Sequence, residues 1–200
     1  MLGSLALALA LAAGIGAWRS RDDADAKAEV KSSSGTAMAD MPGMHMGGSH
    51  PASVTHGAPG PGVAAPPFDL RTLNGNGRVR LADYAGRPVV LTFWASWCIS
   101  CRHEFPALRD LTQRSSGSDL AVVGITYRDI PADARAFAQE MRANFTLALG
   151  GDEDPVARAY GIRAIPQIYF IDRHGVIHAR RFGAPSASQL RADVAAISRR

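Results

Sequence analysis

The chain has 200 residues, with 22 Lys and Arg against 18 Asp and Glu, and its net charge is +4. No nucleic-acid-binding motif accompanies the surplus, so nucleic acid is excluded as a partner and an anionic membrane surface or an acidic protein suits the charge better. Cys98 and Cys101 are the two cysteines, too few for a structural zinc site made of two cysteine pairs.

Residues 2 to 18 are almost wholly apolar and small. A run of about 17 such residues falls between a membrane span and the core of a signal peptide, and either implies export. Arg19 and Arg21 follow the run and no basic residue precedes it, the reverse of the usual signal order, which points to a natural start further upstream. No cysteine lies near it, so a lipoprotein is excluded. Ala24-Asp25-Ala26 is a weak cleavage signal, and an uncleaved anchor at 1–18 is the favoured reading.

Residues 19–65 are rich in Ala, Gly, Ser, Pro and charge and carry no aromatic residue. Such a segment buries too little apolar surface to offset the entropy of ordering it. It reads as a disordered tether spanning roughly 35–40 Å root-mean-square. Within it Met38, Met41, Met44, His45, Met46, His50 and His56 gather four of the six methionines and three of the six histidines. Thioether sulfur suits Cu(I) and imidazole suits Cu(II), so copper is a candidate ligand of this linker; compositional drift in an unstructured segment is the alternative.

Residues 66–200 read as one domain. Phe68-Asp69-Leu70 and Val79-Arg80-Leu81 flank Asn74-Gly75-Asn76-Gly77, a hairpin pattern. A buried-type strand over 88–94 leads into a helix from Cys98 to Arg114, with Phe105, Leu108 and Leu111 on one stripe and Pro106 as a kink. A second apolar strand spans Leu120 to Thr126. Pro131 opens a helix to about Arg142, and Pro155 to Tyr160 forms a short one. Gln167 to Ile171 and Val176 to Arg181 read as adjacent strands, and Ser186 with Gln189 is a capping box for a last helix. This order indicates an α/β sandwich with a mixed central sheet. His174 and His178 read as ordinary exposed residues.

Cys98 and Cys101 stand where the strand over 88–94 runs into a helix. Unpaired N–H groups and the helix dipole there favour a thiolate, so Cys98 is the expected nucleophile. Cys101, one turn further in, suits the resolving role. A structural staple or half a metal site is the bland alternative, and His103 gives CxxCxH rather than the CxxCH of haem attachment.

The segment Trp94-Ala95-Ser96-Trp97-Cys98-Ile99-Ser100-Cys101-Arg102-His103-Glu104-Phe105-Pro106 resembles the TlpA/ResA/DsbE group of extracytoplasmic, thioredoxin-fold thiol–disulfide oxidoreductases. The preceding hairpin, the run Tyr160 to Pro166 and the turn from Phe170 to Gly175 are similar as well. The resemblance implies a thioredoxin-like three-layer α/β/α sandwich with an N-terminal hairpin extension, at the periplasmic face of a bacterial inner membrane, or free in the periplasm if the leader is cleaved. It further implies a cis-proline at Pro166 lying against the CxxC, a docking surface that includes Trp97 and Ile165, and a functional acid at Glu104. One helical turn puts Glu104 on the face of Cys101, where it would relay a proton or raise a thiol pKa; a solvated helix charge is the alternative. No cofactor beyond the cysteine pair is required. Within the group, Val122-Val123-Gly124-Ile125-Thr126-Tyr127-Arg128-Asp129 looks most like DsbE-type proteins, also called CcmG, which keep apocytochrome c thiols reduced for haem attachment. Thr92 departs from thioredoxin's buried acid, Gln167 departs from the acidic residue that often follows the proline in DsbE proteins, and the Met/His-rich tether is not typical of that branch.

Three functions follow as expectations. The leading one is a membrane-tethered reductant of exported protein disulfides, such as those of apocytochrome c, re-reduced by a membrane donor of the DsbD/CcdA type. A copper-handling protein that serves a copper-site assembly partner is the second. A redoxin peroxidase is the third and weakest, because Ala95 holds the position where such enzymes carry a Thr.

Overall fold

The computed structural model describes residues 57–115, 119–151 and 155–199. The apolar segment 1–18, the linker as far as residue 56 and all seven Met and His residues singled out there lie outside them.

Asn74-Gly75-Asn76-Gly77 reverses the chain between β1 (Asp69–Arg71) and β2 (Arg78–Arg80), which pair antiparallel with Leu70 opposite Val79. Gly75 sits at φ +76°, a conformation that costs glycine little. A 3₁₀ turn, Leu81–Tyr84, leads to β3 (Val89–Trp94), α1 (Ile99–Arg114), β4 (Ala121–Thr126), α2 (Pro131–Glu140) and β5 (Thr146–Ala148). The chain continues through α3 (Pro155–Ala159), β6 (Gln167–Ile171), β7 (Ile177–Phe182) and α4 (Ala187–Ser198).

The five-stranded sheet has the order β5-β4-β3-β6-β7, parallel from β5 to β3 and antiparallel from β3 to β7. All six residues of β3 are buried, as a central strand covered on both faces requires. Period-2 alternation divides them. Val89, Leu91 and Phe93 join a core with Tyr160, just after α3, with Phe68, just before β1, and with Val79 of β2. On the other face Trp94 packs with Phe105 of α1 and Phe137 of α2, and Val90 packs with Leu108 of α1 and Leu190 of α4. The result is the α/β/α sandwich with a mixed sheet and an N-terminal hairpin.

The helix signals hold. Ser186 and Gln189 form the reciprocal capping box of α4, and Pro131 opens α2. Helix α1 continues through Pro106, which lies on its exposed side.

Two features differ from the sequence reading. Strand β5 was not expected; it has three residues, too few for alternation to register. The fold also begins before residue 66: Gly62 N–H donates to Ile177 O and Ala65 N–H to Gly175 O, both at 2.8 Å. These bonds tie 62–65 beside the start of β7, a pairing that the Gly/Pro/Ala composition of the segment conceals. Among the described residues no helix is long and apolar enough to cross a membrane.

Candidate active site

Strand β3 delivers the chain to the end of the sheet, where Ala95, Ser96 and Trp97 carry it into α1. Cys98 caps that helix: its Sγ accepts a hydrogen bond from Cys101 N–H at 3.1 Å. The same N–H and the positive helix end would stabilise a thiolate on Cys98. Cys98 and Cys101 are joined as a disulfide, with Cα atoms 5.2 Å apart. Cys98 retains 6% exposure and Cys101 none, so an incoming disulfide reaches Cys98 first.

The loop ahead of Cys98 is tied down by the loop after β4. Tyr127 N–H donates to Trp94 O at 2.8 Å. The Asp129 carboxylate accepts from Ser96 N–H at 2.6 Å and from Ser96 Oγ–H at 2.7 Å. Trp97 Nε1–H donates to Arg128 O at 3.0 Å, and Arg128 takes φ +48°, a region a non-glycine residue enters at a cost. Trp94 forms the floor, stacked on Phe137 at 5.3 Å and edge-on to Phe105 at 4.9 Å. Sequence reasoning missed Asp129 as Ser96's partner, because nothing local joins residues 33 positions apart.

Trp97 is 60% exposed, which leaves most of its ring facing solvent. The Ile165–Pro166 peptide bond is cis. Gln167, directly after it, pairs with Phe93 at the end of β3, which brings Pro166 to the Cys98 end of the sheet. Ile165 packs against the cluster that contains both cysteines.

Glu104 is 2% exposed, so it is not a solvated helix charge. Neither of its oxygens has a hydrogen-bond partner. Burial pushes its pKa up to about 8, because a charged carboxylate loses its hydration there. The Thr92 hydroxyl opposes part of that shift, although its oxygen makes no hydrogen bond of normal geometry.

Gln167 is fully buried on the opposite face of the sheet. Its Nε2–H donates to Tyr169 Oη at 2.7 Å; Tyr169 O–H donates to Tyr160 O, and Tyr160 O–H to Pro66 O at 2.8 Å. The Gln167 amide thus joins the two tyrosines through its Nε2, while its Oε1 is buried without a hydrogen-bond partner. No group of three or more His, Cys, Asp or Glu side chains able to hold a metal ion occurs among the described residues.

The profile of the AhpC/TSA family matches residues 61–180, more than half of the chain. The chain belongs to the AhpC/TSA family. It is 33% identical over 132 residues to the thioredoxin-like protein YneN of Bacillus subtilis, covering 64% of this chain and 75% of that one. It is 32% identical to the thiol:disulfide interchange protein DsbE of Pseudomonas fluorescens, covering 61% of this chain and 66% of DsbE, just under two thirds of that relative's length. A solved Chlorobium tepidum structure assigned as a DsbE superposes with a TM-score of 0.64 at 31% identity, over 69% of this chain and 97% of that one. The Cys98–Cys101 disulfide stands in a domain whose sequence and fold are of the DsbE/ResA thiol–disulfide oxidoreductase type.

Proposed function

We propose that the protein is an exported, membrane-tethered reductant of protein disulfides. The observation that carries the reading is the Cys98–Cys101 pair at the start of α1, with a backbone N–H directed at Cys98 Sγ and Cys101 sealed behind it.

In the reduced state the Cys98 thiolate attacks one sulfur of a substrate disulfide, and the other substrate sulfur leaves as a thiolate. Cys101 then loses its proton to the Glu104 carboxylate and attacks Cys98 Sγ. The second substrate sulfur departs, and Cys98–Cys101 closes as a disulfide; two electrons have passed to the substrate. A carboxyl with a pKa of about 8 lies close to the ordinary thiol value of about 8.5, so proton exchange with Cys101 is nearly balanced in both directions. When a donor reduces the pair, protonated Glu104 returns its proton to Cys101.

Substrate contacts are available around Cys98. Trp97, Ile99, Ile130 and Phe182 are large apolar side chains at least 60% exposed. Ile130 follows the Asp129 that holds Ser96. Phe182 pairs with Gln167 next to Pro166. Four such groups at one end of a sheet mark an interaction surface.

The apolar segment 1–18 and the long polar linker support tethering, and an oxidising compartment then requires a membrane donor of the DsbD/CcdA type. The DsbE-type resemblance supports apocytochrome c as substrate. The Met/His cluster from Met38 to His56 supports a second reading, in which the linker captures copper and the thiols serve a copper-site assembly partner. Insulin-disulfide reduction tests the first reading: wild type is active and Cys98→Ser falls to background, whereas equal activity in the variant refutes it. Deletion of residues 38–56 separates the two, since a reductase alone keeps its activity and cellular role.

A further inference from the structure

We propose that Asp129 is a positioning residue that sets how strongly reducing the Cys98–Cys101 couple is, acting through Ser96. The assignment rests on the oxidoreductase reading above and adds a determinant outside the CxxC helix.

Asp129 is the side chain that grips the segment leading to Cys98. Both carboxylate oxygens are committed to Ser96, one to its N–H at 2.6 Å and one to its Oγ–H at 2.7 Å. Ser96 stands two residues before Cys98, whose own N–H donates to Ala95 O at 3.2 Å. The clamp therefore fixes the tight turn that aims Cys98 Sγ, and it holds a negative charge beside that turn.

The other charged groups near the cysteines are differently engaged. On α1, Arg102 is paired with Glu140 of α2 and lies over the Phe137 ring at 5.0 Å, His103 is exposed, and Glu104 is buried on the Cys101 side. Asp133 lies in the first turn of α2. Arg128 places its guanidinium over Tyr127 at 5.3 Å, and Arg163 is exposed ahead of Ile165. Among the described residues, none of these side chains bonds to residues 95–98.

An anion near Cys98 disfavours its thiolate. The reduced state is then less stabilised, equilibrium shifts toward the disulfide, and the couple becomes a stronger reductant. Stabilising the reduced form has the opposite effect. In the exchange, Cys98 and Cys101 thiols plus glutathione disulfide give the Cys98–Cys101 disulfide plus two glutathione thiols, so the equilibrium constant reads this balance directly.

Asp129→Asn separates charge from geometry. The amide oxygen still accepts from Ser96 N–H, and the amide N–H donates to Ser96 Oγ, so the turn keeps both bonds while the charge is removed. The expected result, for the full chain equilibrated with glutathione, is a shift of about threefold to tenfold toward the dithiol, about 14–30 mV less negative at 29.6 mV per decade. Iodoacetamide should also trap Cys98 at lower pH than in wild type, while the melting temperature of the oxidised form stays within a few degrees. An equilibrium constant equal to wild type, or one shifted toward the disulfide, overturns the assignment and leaves Asp129 a purely structural tie. A wild-type protein that does not equilibrate with glutathione at all contradicts the oxidoreductase reading itself, and this assignment with it.

Discussion

Glu104 lies one helical turn beyond Cys101, and both side chains are sealed from solvent, with neither carboxyl oxygen hydrogen-bonded. Burial holds its pKa at about 8, above the ordinary solvated value of 4.5. Between those two values the folded state holds the extra proton, so stability of the oxidised protein falls as pH rises from about 4.5 to about 8, with a slope of up to roughly 1.4 kcal/mol per pH unit. Below that window both states are protonated and no penalty remains. Glu104→Gln should flatten the profile and be more stable than wild type at pH 8, as urea titrations at several pH values will read.

The same substitution tests the proton relay. With Gln at 104 the resolving step loses its base, and its rate should no longer rise through pH 8 as Glu104 ionises. Stopped-flow resolution of a preformed mixed disulfide measures this, and an unchanged pH–rate profile counts against Glu104.

Trp94 leans over Gly124 of the neighbouring strand. A Cβ added there would meet Leu147 Cδ2 at 2.7 Å and Trp94 Nε1 at 2.9 Å. Gly124→Ala should therefore push the indole out of its stack with Phe137 and cost about 1–3 kcal/mol. Chemical denaturation and the tryptophan emission of the folded state both report it.

Ile130 and Phe182 are remote from the thiols in sequence yet exposed at their end of the sheet. Changing either to Ser should raise KM for a protein disulfide severalfold, by about 1 kcal/mol of docking free energy. Turnover of a small aromatic disulfide should stay as in wild type, since it needs only Cys98. Equal losses on both substrates would place these residues outside docking.

Copper binding at the linker makes its own demand. A chain with both cysteines changed to Ser should still bind Cu(I) more tightly than micromolar, and removal of residues 38–56 should abolish it. Failure of the first titration ends the copper reading.

Much of the fold was legible because it is written in local pattern. The apolar runs of β3 and β4, the capping box at Ser186 and Gln189, and the hairpin glycines each specify their element within a few residues. The cysteine pair was legible for the same reason: a strand running into CxxC is a short-range signal. Strand β5 was not, since three residues carry no period and its pairing with β4 is decided by tertiary packing. Pairing of residues 62–65 with the start of β7 was hidden by their loop-like composition. The Ser96–Asp129 clamp and the exposure of Phe182 beside Pro166 depend on chain crossings that no sequence window spans. Glu104 was half legible: its spacing from Cys101 gave the face, and only the packed structure shows that this face is dry.

The most direct measurement of the division of labour between the cysteines is trapping. A reduced Cys101→Ser chain incubated with a disulfide-bearing protein should accumulate a mixed disulfide, and peptide mass spectrometry should place it on Cys98. Absence of that adduct, or an equal yield from the Cys98→Ser chain, would contradict the assignment of Cys98 as attacking thiolate and Cys101 as the thiol that resolves it.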